Sequence, residues 1–334
     1  MRYLHWLLTR LAGGLFVLWA VATLVFIGIR LVPGDPVEAI VGGPGSQAGP
    51  EAFALARAEY GLDQPLPVQY GTMLANLASG DLGTSYSLKA PVAEVVAEQL
   101  PGTLTLAFLA WALAWVLAVA AALFTALATG PRLARLADAL GSGLEILAAA
   151  VPHFWLGSIL VLVFATGLGW LPPVATDSAA GLVLPVATLA LPLAGFLGQV
   201  MRESLATALA SPFALAARAR GESEAGVLLR HGLRHAALPG ISLSGWALGS
   251  LISGAVVVEA LFARGGLGRT LLSAVTARDI PLVTGVVLVS ALTYVVVMAA
   301  ADVVERLVDP RPESARTTAL RASTPHPAPA SGRP

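Results

Sequence analysis

The chain has 334 residues, 56% hydrophobic and 12% charged, with a mean hydropathy of +0.77 and no net charge. A soluble domain carries roughly 25% charged residues, so this composition excludes one and indicates an all-α polytopic membrane protein. Zero net charge gives no bulk attraction to nucleic acid, and the lack of cysteine excludes disulfides and thiolate metal sites.

Crossing a bilayer as helix takes about 20 apolar residues. Six stretches reach or approach that length, near 11–31, 103–129, 146–168, 182–200, 236–258 and 281–301. The first is too long for a signal-peptide core and no small-residue cleavage site follows it, so it reads as a retained anchor. The segment 32–100 is acidic and rich in turn signals such as PGDP, GGPG and GLDQPLP. Its length points to a folded subdomain with short helices. Pro152 in the third span and Pro185 and Pro192 in the fourth predict kinks, tolerated in membranes where neighbours re-satisfy the freed carbonyls. The fifth span carries Gly245, Gly249 and Ser253 at four-residue spacing. That face suits close helix packing, with the lining of a substrate path as the alternative. The tail from about Pro312 is rich in Pro, Ala, Ser and Thr, a composition expected to stay disordered. The chain therefore divides into a first span (1–31), an outer segment (32–100), a five-span core (101–307) and a tail (308–334).

Lysine and arginine set the orientation. With the N-terminus inside, the inner segments hold Arg2, Arg10, Arg132, Arg135, Arg202, Arg218, Arg220, Arg230, Arg234, Arg306, Arg311, Arg316, Arg321 and Arg333. The outer segments hold only Arg30, Arg57, Lys89, Arg264, Arg269 and Arg278. Both termini are expected in the cytoplasm, and the long segment 201–235 faces it too.

Little chemistry is visible. The single lysine, Lys89, belongs to no phosphate-binding loop, and no hydrolase or metalloprotease motif occurs. Ion coupling usually needs an ionisable group within the membrane. Glu145, Glu259 and Asp302 sit at span ends, where solvation at the interface accounts for them. His153, beside Pro152, reads as a neutral ring bonding a freed carbonyl, with a proton relay as the alternative. His231 and His235 are spaced to suit a metal, but Arg230 and Arg234 flank them and disfavour a cation.

The segment 201–235 reads as short helix, break, helix. Ser211-Pro212 opens the first helix as N-cap and first residue, Gly221 stops it, and a second begins near Ser223 and runs toward Pro239 and Gly240. Arg218/Glu222 and Arg220/Glu224 stand at i, i+4 spacing, though with Gly221 between the members of each pair. Two readings stay open: a helix held out to dock a partner, or a basic anchor with none.

The stretch ARARGESEAGVLLRHGLRHAALP (217–239) resembles the cytoplasmic coupling loop of binding-protein-dependent ABC importer permeases, and most closely the B-type subunit of dipeptide, oligopeptide and nickel systems. RLVPGDP (30–36), GLDQPLPVQY (61–70), GDLGTSYS (80–87), PGTLTLAF (101–108), GAVVVEALF (254–262), GLGRTLLSAVTARDIPLVTG (266–285) and DPR (309–311) resemble the same family, in its order. The resemblance implies a type I importer fold with six transmembrane helices in the cell membrane. It implies no catalytic residue and no cofactor in this chain, with ATP hydrolysed by separate ABC ATPase subunits. It further implies a second permease subunit and an external solute-binding protein that delivers a peptide or related small solute. The rival reading is an ion-coupled carrier or channel. By position, the ATPase-coupling residues would be Phe213, Leu215, Ala216, Ala217, Arg218, Ala219, Arg220, Gly221, Glu222 and Glu224. Departures from the family pattern are Leu215 where the broader motif has an acid, Arg264-Gly265 where Pro-Gly is usual, and His235 where Asn is usual.

Overall fold

The computed structural model describes residues 2–308 except 32–34, 36, 43–48, 129 and 177. The tail expected to be disordered, the DPR stretch and most of PGDP and GGPG lie outside the described residues. In chain order the helices are α1 (Arg2–Leu31), α2 (Val37–Ile40), α3 (Pro50–Glu59), α4 (Leu66–Ala78), α5 (Val92–Leu127), α6 (Pro131–Ala150) and α7 (His153–Leu160). They continue with α8 (Ala179–Leu209), α9 (Pro212–Ala219), α10 (Glu224–Gly226), α11 (Leu233–Leu261), α12 (Leu267–Thr276) and α13 (Ile280–Val308). π-helical turns at Val161–Gly167 and Val227–Gly232 extend α7 and join α10 to α11.

α8 lies at the centre. Leu189, Ala190, Leu197 and Met201 on it are fully buried. α5 lays an alanine stripe into the same core: Ala107, Ala110, Ala114, Ala118 and Ala122, each at most 2% exposed. Their three- and four-residue spacing puts them on one helix face. In lipid no hydrophobic transfer drives helices together, so close packing of small residues does the work. α6 crosses α8 at Gly195, where an added Cβ would lie 2.5 Å from the Glu145 carbonyl oxygen. α11 meets α13 along the glycine face of the fifth span. A Cβ on Gly245 would lie 2.6 Å from Ala301 Cβ, and one on Gly249 would overlap the Tyr294 ring. That face packs a helix of the same chain.

Five helices among the described residues are long and apolar enough to cross a membrane: α1, α5, α8, the α10–α11 run and α13. The stretch expected as a third span, 146–168, is not one helix. α6 stops at Ala150, and Val151 is extended (φ −79°, ψ 126°) because a residue before proline is excluded from the helical region. α6 and the α7 run meet at 106°, so the sixth crossing exists only as a bent pair. Pro185 and Pro192 in α8 and Pro239 in α11 interrupt no helix.

The acids read as solvated span ends are covered instead. Glu145 is 5% exposed and Glu259 0%. Arg202 Nε donates to Glu145 Oε2 at 3.0 Å and its Nη1 to Asp138 Oδ1 at 2.6 Å. Asp302 pairs with Arg10 and so ties α13 to α1. Hydropathy places each acid at the end of an apolar run but does not see the neighbouring helix that covers it. The half-buried His153 ring makes no hydrogen bond among the described residues, so the expected bond to a freed carbonyl is not formed.

Glu259 fixes the α11–α12 hairpin. Thr103 Oγ1 on α5 donates to its Oε1 at 2.6 Å. The N–H groups of Gly268 and Arg269 donate to its Oε2 at 2.7 and 3.2 Å, and Leu267 N–H donates to Thr103 Oγ1 at 2.8 Å. The opening N–H groups of α12, which have no partner inside the helix, are thereby satisfied. The unusual Arg264-Gly265 pair sits in this hairpin. The Gly265 carbonyl passes 2.9 Å from where a Cβ on Gly102 would stand, so α5 has room for it only at a glycine.

Candidate functional site

α9 stands between the ends of α8 and α10. Pro212 opens it at its first turn, where a missing N–H costs nothing. Ser211 is in the extended N-cap conformation, but its hydroxyl donates back to the Ala208 carbonyl at 2.5 Å and does not cap the helix. Gly221, at φ +83°, ends it. Gly221 N–H donates to the Arg218 carbonyl at 2.9 Å and Glu222 N–H to the Ala217 carbonyl at 3.2 Å. This pair of bonds is a Schellman closure, which needs a left-handed residue at the glycine position. Ser223 then caps the next helix by accepting from Gly226 N–H at 3.2 Å.

The footing of α9 is small. Ala214 and Ala217 are fully buried against Val227, with Leu209 beside them. Arg218 holds the rest. Its Nη1 donates to the Leu209 carbonyl at 3.0 Å, in the last turn of α8. Its Nε and Nη2 reach Glu224 Oε1 and Oε2 at 2.9 and 3.1 Å, in the first turn of α10. One guanidinium therefore joins the end of α8 to the start of the α10–α11 run, a use its planar fork allows and an ammonium does not.

The i, i+4 pairs Arg218/Glu222 and Arg220/Glu224 do not form. The positive φ at Gly221 breaks the helix between their members, so Arg218 meets Glu224 instead. Glu222 turns to His231, with Oε2 and Nε2 3.0 Å apart, and more loosely to Arg230. Arg220 is exposed. His235 stacks on Phe213 at 4.5 Å between ring centroids. His235 thus holds α9, and His231 the turn that follows it, to the helix behind, and no cluster suited to a metal ion is found among the described residues.

Leu215, Ala216, Ala219, Arg220 and Gly221 face outward, with Leu215 66% exposed, while Phe213 is 37% exposed and turns its ring to His235. Phe213, Ala217, Arg218, Glu222 and Glu224 face inward or serve the footing. The ten residues selected by resemblance therefore separate into an outward face and a set that fixes it. Ala214, Val227, His231 and His235, which complete that set, were not selected. Only the alternation of Ala214 and Ala217 with exposed neighbours signals a buried stripe.

Comparison with known proteins supplies the family. The profile described as "Binding-protein-dependent transport system inner membrane component" matches residues 119–314, and the profile of its N-terminal region matches residues 3–107. The glutathione transport system permease protein of Salmonella paratyphi A is 36% identical over 309 residues, covering 92% of this chain and 98% of that protein. The chain belongs to the inner-membrane component family of binding-protein-dependent transport systems. A Brucella suis protein described as a peptide transport system permease is 37% identical over 317 residues, covering 91% of this permease and 98% of that protein. A chain of the MetNI methionine ABC transporter, in an inward-facing conformation, shares the fold. It has a TM-score of 0.50 and 17% identity, covering 64% of this permease and 96% of that chain. The permease is thus a multi-pass membrane component of an ABC importer of the peptide family, not an ion-coupled carrier.

Arg218 gives the first test of the site. Arg218→Ala is expected to release α9 from Leu209 and Glu224 while leaving the membrane core folded. Limited proteolysis should then cut within 209–224 several-fold faster, as a local opening with a low free-energy cost. Arg218→Lys should fall between the two, and equal cleavage in all three proteins would remove the clamp from the argument.

Proposed function

We propose that this permease forms half of the translocation path of an ATP-driven importer for peptides or a related small solute, and that α9 is the element an ABC ATPase moves. The observation that carries this is the geometry of α9. It stands off the core on two buried alanines, shows an apolar face outward and is bolted by Arg218 to α8 and to the α10–α11 run. Displacement of α9 is therefore delivered to the two helices that dominate the core. With alternating access, ATPase closure moves these helices as rigid bodies and exchanges an inward for an outward opening. ATP is hydrolysed in separate subunits, a second permease completes the path, and an external binding protein supplies the ligand. The arginine distribution puts α9 and both termini in the cytoplasm and 32–100 outside.

The test is co-purification from the native membrane through a tag on the tail, with a substitution series at Gly221. An ABC ATPase and a second permease should accompany the chain. A Cβ on Gly221 would meet no atom of this chain within 4 Å, so the cost of a side chain there is the positive φ, about 1–2 kcal/mol for ordinary residues. Asn and Asp tolerate that conformation and β-branched residues do not. Loss of ATP-coupled uptake is therefore expected in the order Asn and Asp, then Ala, then Val. Equal loss with Asn, Asp and Ala would mean that the bound ATPase, not the turn, excludes the side chain. A chain that purifies with no ATPase would overturn the proposal.

A further inference from the structure

Two fully buried carboxylates bracket α12. Glu259 accepts its opening N–H groups and the hydroxyl of Thr103 on α5. Asp279 follows its last turn. Through Oδ2 it accepts Ser85 Oγ at 2.6 Å, Ser87 Oγ at 2.7 Å and Ser87 N–H at 2.9 Å; through Oδ1 it accepts Leu282 N–H at 3.2 Å. Burial alone would push the Asp279 carboxyl up, but the serine hydroxyls and the N–H groups of Ser87 and Tyr86 outweigh it and hold the group below the ordinary aspartate range. Ser85 and Ser87 belong to the outer segment, which one more contact fastens to this corner and two others knit to itself. Arg278, just past α12, lies 3.5 Å from Glu38; within the segment Lys89 Nζ donates to the Ile40 carbonyl at 3.2 Å and Tyr60 meets Tyr86 edge to face at 5.0 Å. Between the carboxylates α12 has little freedom. A Cβ on Gly268 would overlap the backbone of Val256 on α11, and one on Gly266 would overlap the Glu259 carboxylate.

We infer that Asp279 and Glu259 are positioning residues for transport, forming a rigid link through α12 that passes a displacement of the outer segment to α5 and α11. The two attachments differ in kind. Ser85 and Ser87 join the outer segment to one end of the link, and Thr103 joins a core helix to the other. A binding protein that docks on the outer segment thereby acts on the same core that α9 acts on from the opposite side. The inference rests on the importer reading above, because it needs a docking event outside and an ATPase inside.

The experiment uses the complete transporter, with its partner permease, ATPases and binding protein, reconstituted in liposomes. ATP hydrolysis is measured with and without the ligand-loaded binding protein. For Asp279→Asn, Glu259→Gln and the milder Ser85→Ala/Ser87→Ala pair, basal hydrolysis and complex assembly should stay near wild type. The increment produced by the binding protein should fall at least about fivefold, the size of an ordinary coupling between sites. Asp279→Asn combined with Glu259→Gln should be no worse than either alone, since both interrupt one path. Full stimulation in all variants overturns the inference. So does a proportional fall of basal and stimulated rates together with the melting temperature, which would make the carboxylates structural only. A wild-type complex that shows no response to its binding protein overturns the importer reading itself.

Discussion

Glu259→Ala is expected to destabilise the permease by at least about 3 kcal/mol. The substitution leaves the Thr103 hydroxyl and the N–H groups of Gly268 and Arg269 without their acceptor at a buried site, and each orphaned donor costs about 1–3 kcal/mol. The first turn of α12 also loses its cap. Glu259→Gln keeps the shape and one acceptor oxygen, so it should cost only about 1 kcal/mol. Thermal unfolding of the detergent-solubilised protein separates the two. Equal melting temperatures for the alanine and glutamine proteins would mean that the negative charge, and not the set of hydrogen bonds, is what the hairpin requires.

The second large effect is at the α6–α8 crossing. Gly195→Ala and Gly143→Ala both place alanine for glycine within a helix, and intrinsic preference favours both by up to about 1 kcal/mol. A Cβ on Gly143 meets nothing within 4 Å, so that gain should appear. A Cβ on Gly195 would stand 2.5 Å from the Glu145 carbonyl oxygen and 2.8 Å from the Ala149 nitrogen. Both are backbone atoms and cannot rotate away. α6 has to retreat, and overpacking of this kind costs about 1–3 kcal/mol. The retreat also pulls Glu145 from Arg202, the contact that binds the two helices by charge. Opposite signs of the change in melting temperature are the expected result. The same sign at both positions would show that α6 does not press on α8.

The spans were legible because twenty apolar residues in a row report themselves without any partner. Four of the six expected stretches fall inside continuous helices and a fifth, 103–129, ends with α5 at Leu127; the helices start earlier than expected because their polar ends stay helical where hydropathy is low. The third was legible in part: Pro152 signalled a bend at the right place, but the unbroken apolar run hid that the bend is 106° and divides the stretch into two helices. The start, stop and next start of α9 were legible from Ser211-Pro212, Gly221 and Ser223, since caps and breaks are local chemistry. What holds α9 was not. Spacing counts residues along a helix that Gly221 has already ended, so it proposed Arg218 with Glu222 when the partner is Glu224. Glu259 was misread in the opposite sense. Its position in the chain is that of a surface acid, and its cover comes from α5, more than 150 residues earlier (Thr103 is 156 positions away). The family was carried by short motifs in register, a kind of information that no single helix period contains.

The break between α6 and α7 bears on the lipid around the permease. The run from His153 to Gly167, π-helical from Val161, reaches at most roughly 22 Å at the α-helical 1.5 Å per residue, against a hydrocarbon layer of roughly 30 Å. Exposed Phe154, Trp155 and Leu162 on this run require an apolar surrounding all the same. A span that short is matched by local thinning of the bilayer, by headgroups that descend to its ends, or by an apolar face of the second permease. Acyl-chain length is therefore expected to alter transport by the reconstituted complex, and equal rates in thin and thick bilayers would assign the exposed face to the partner permease.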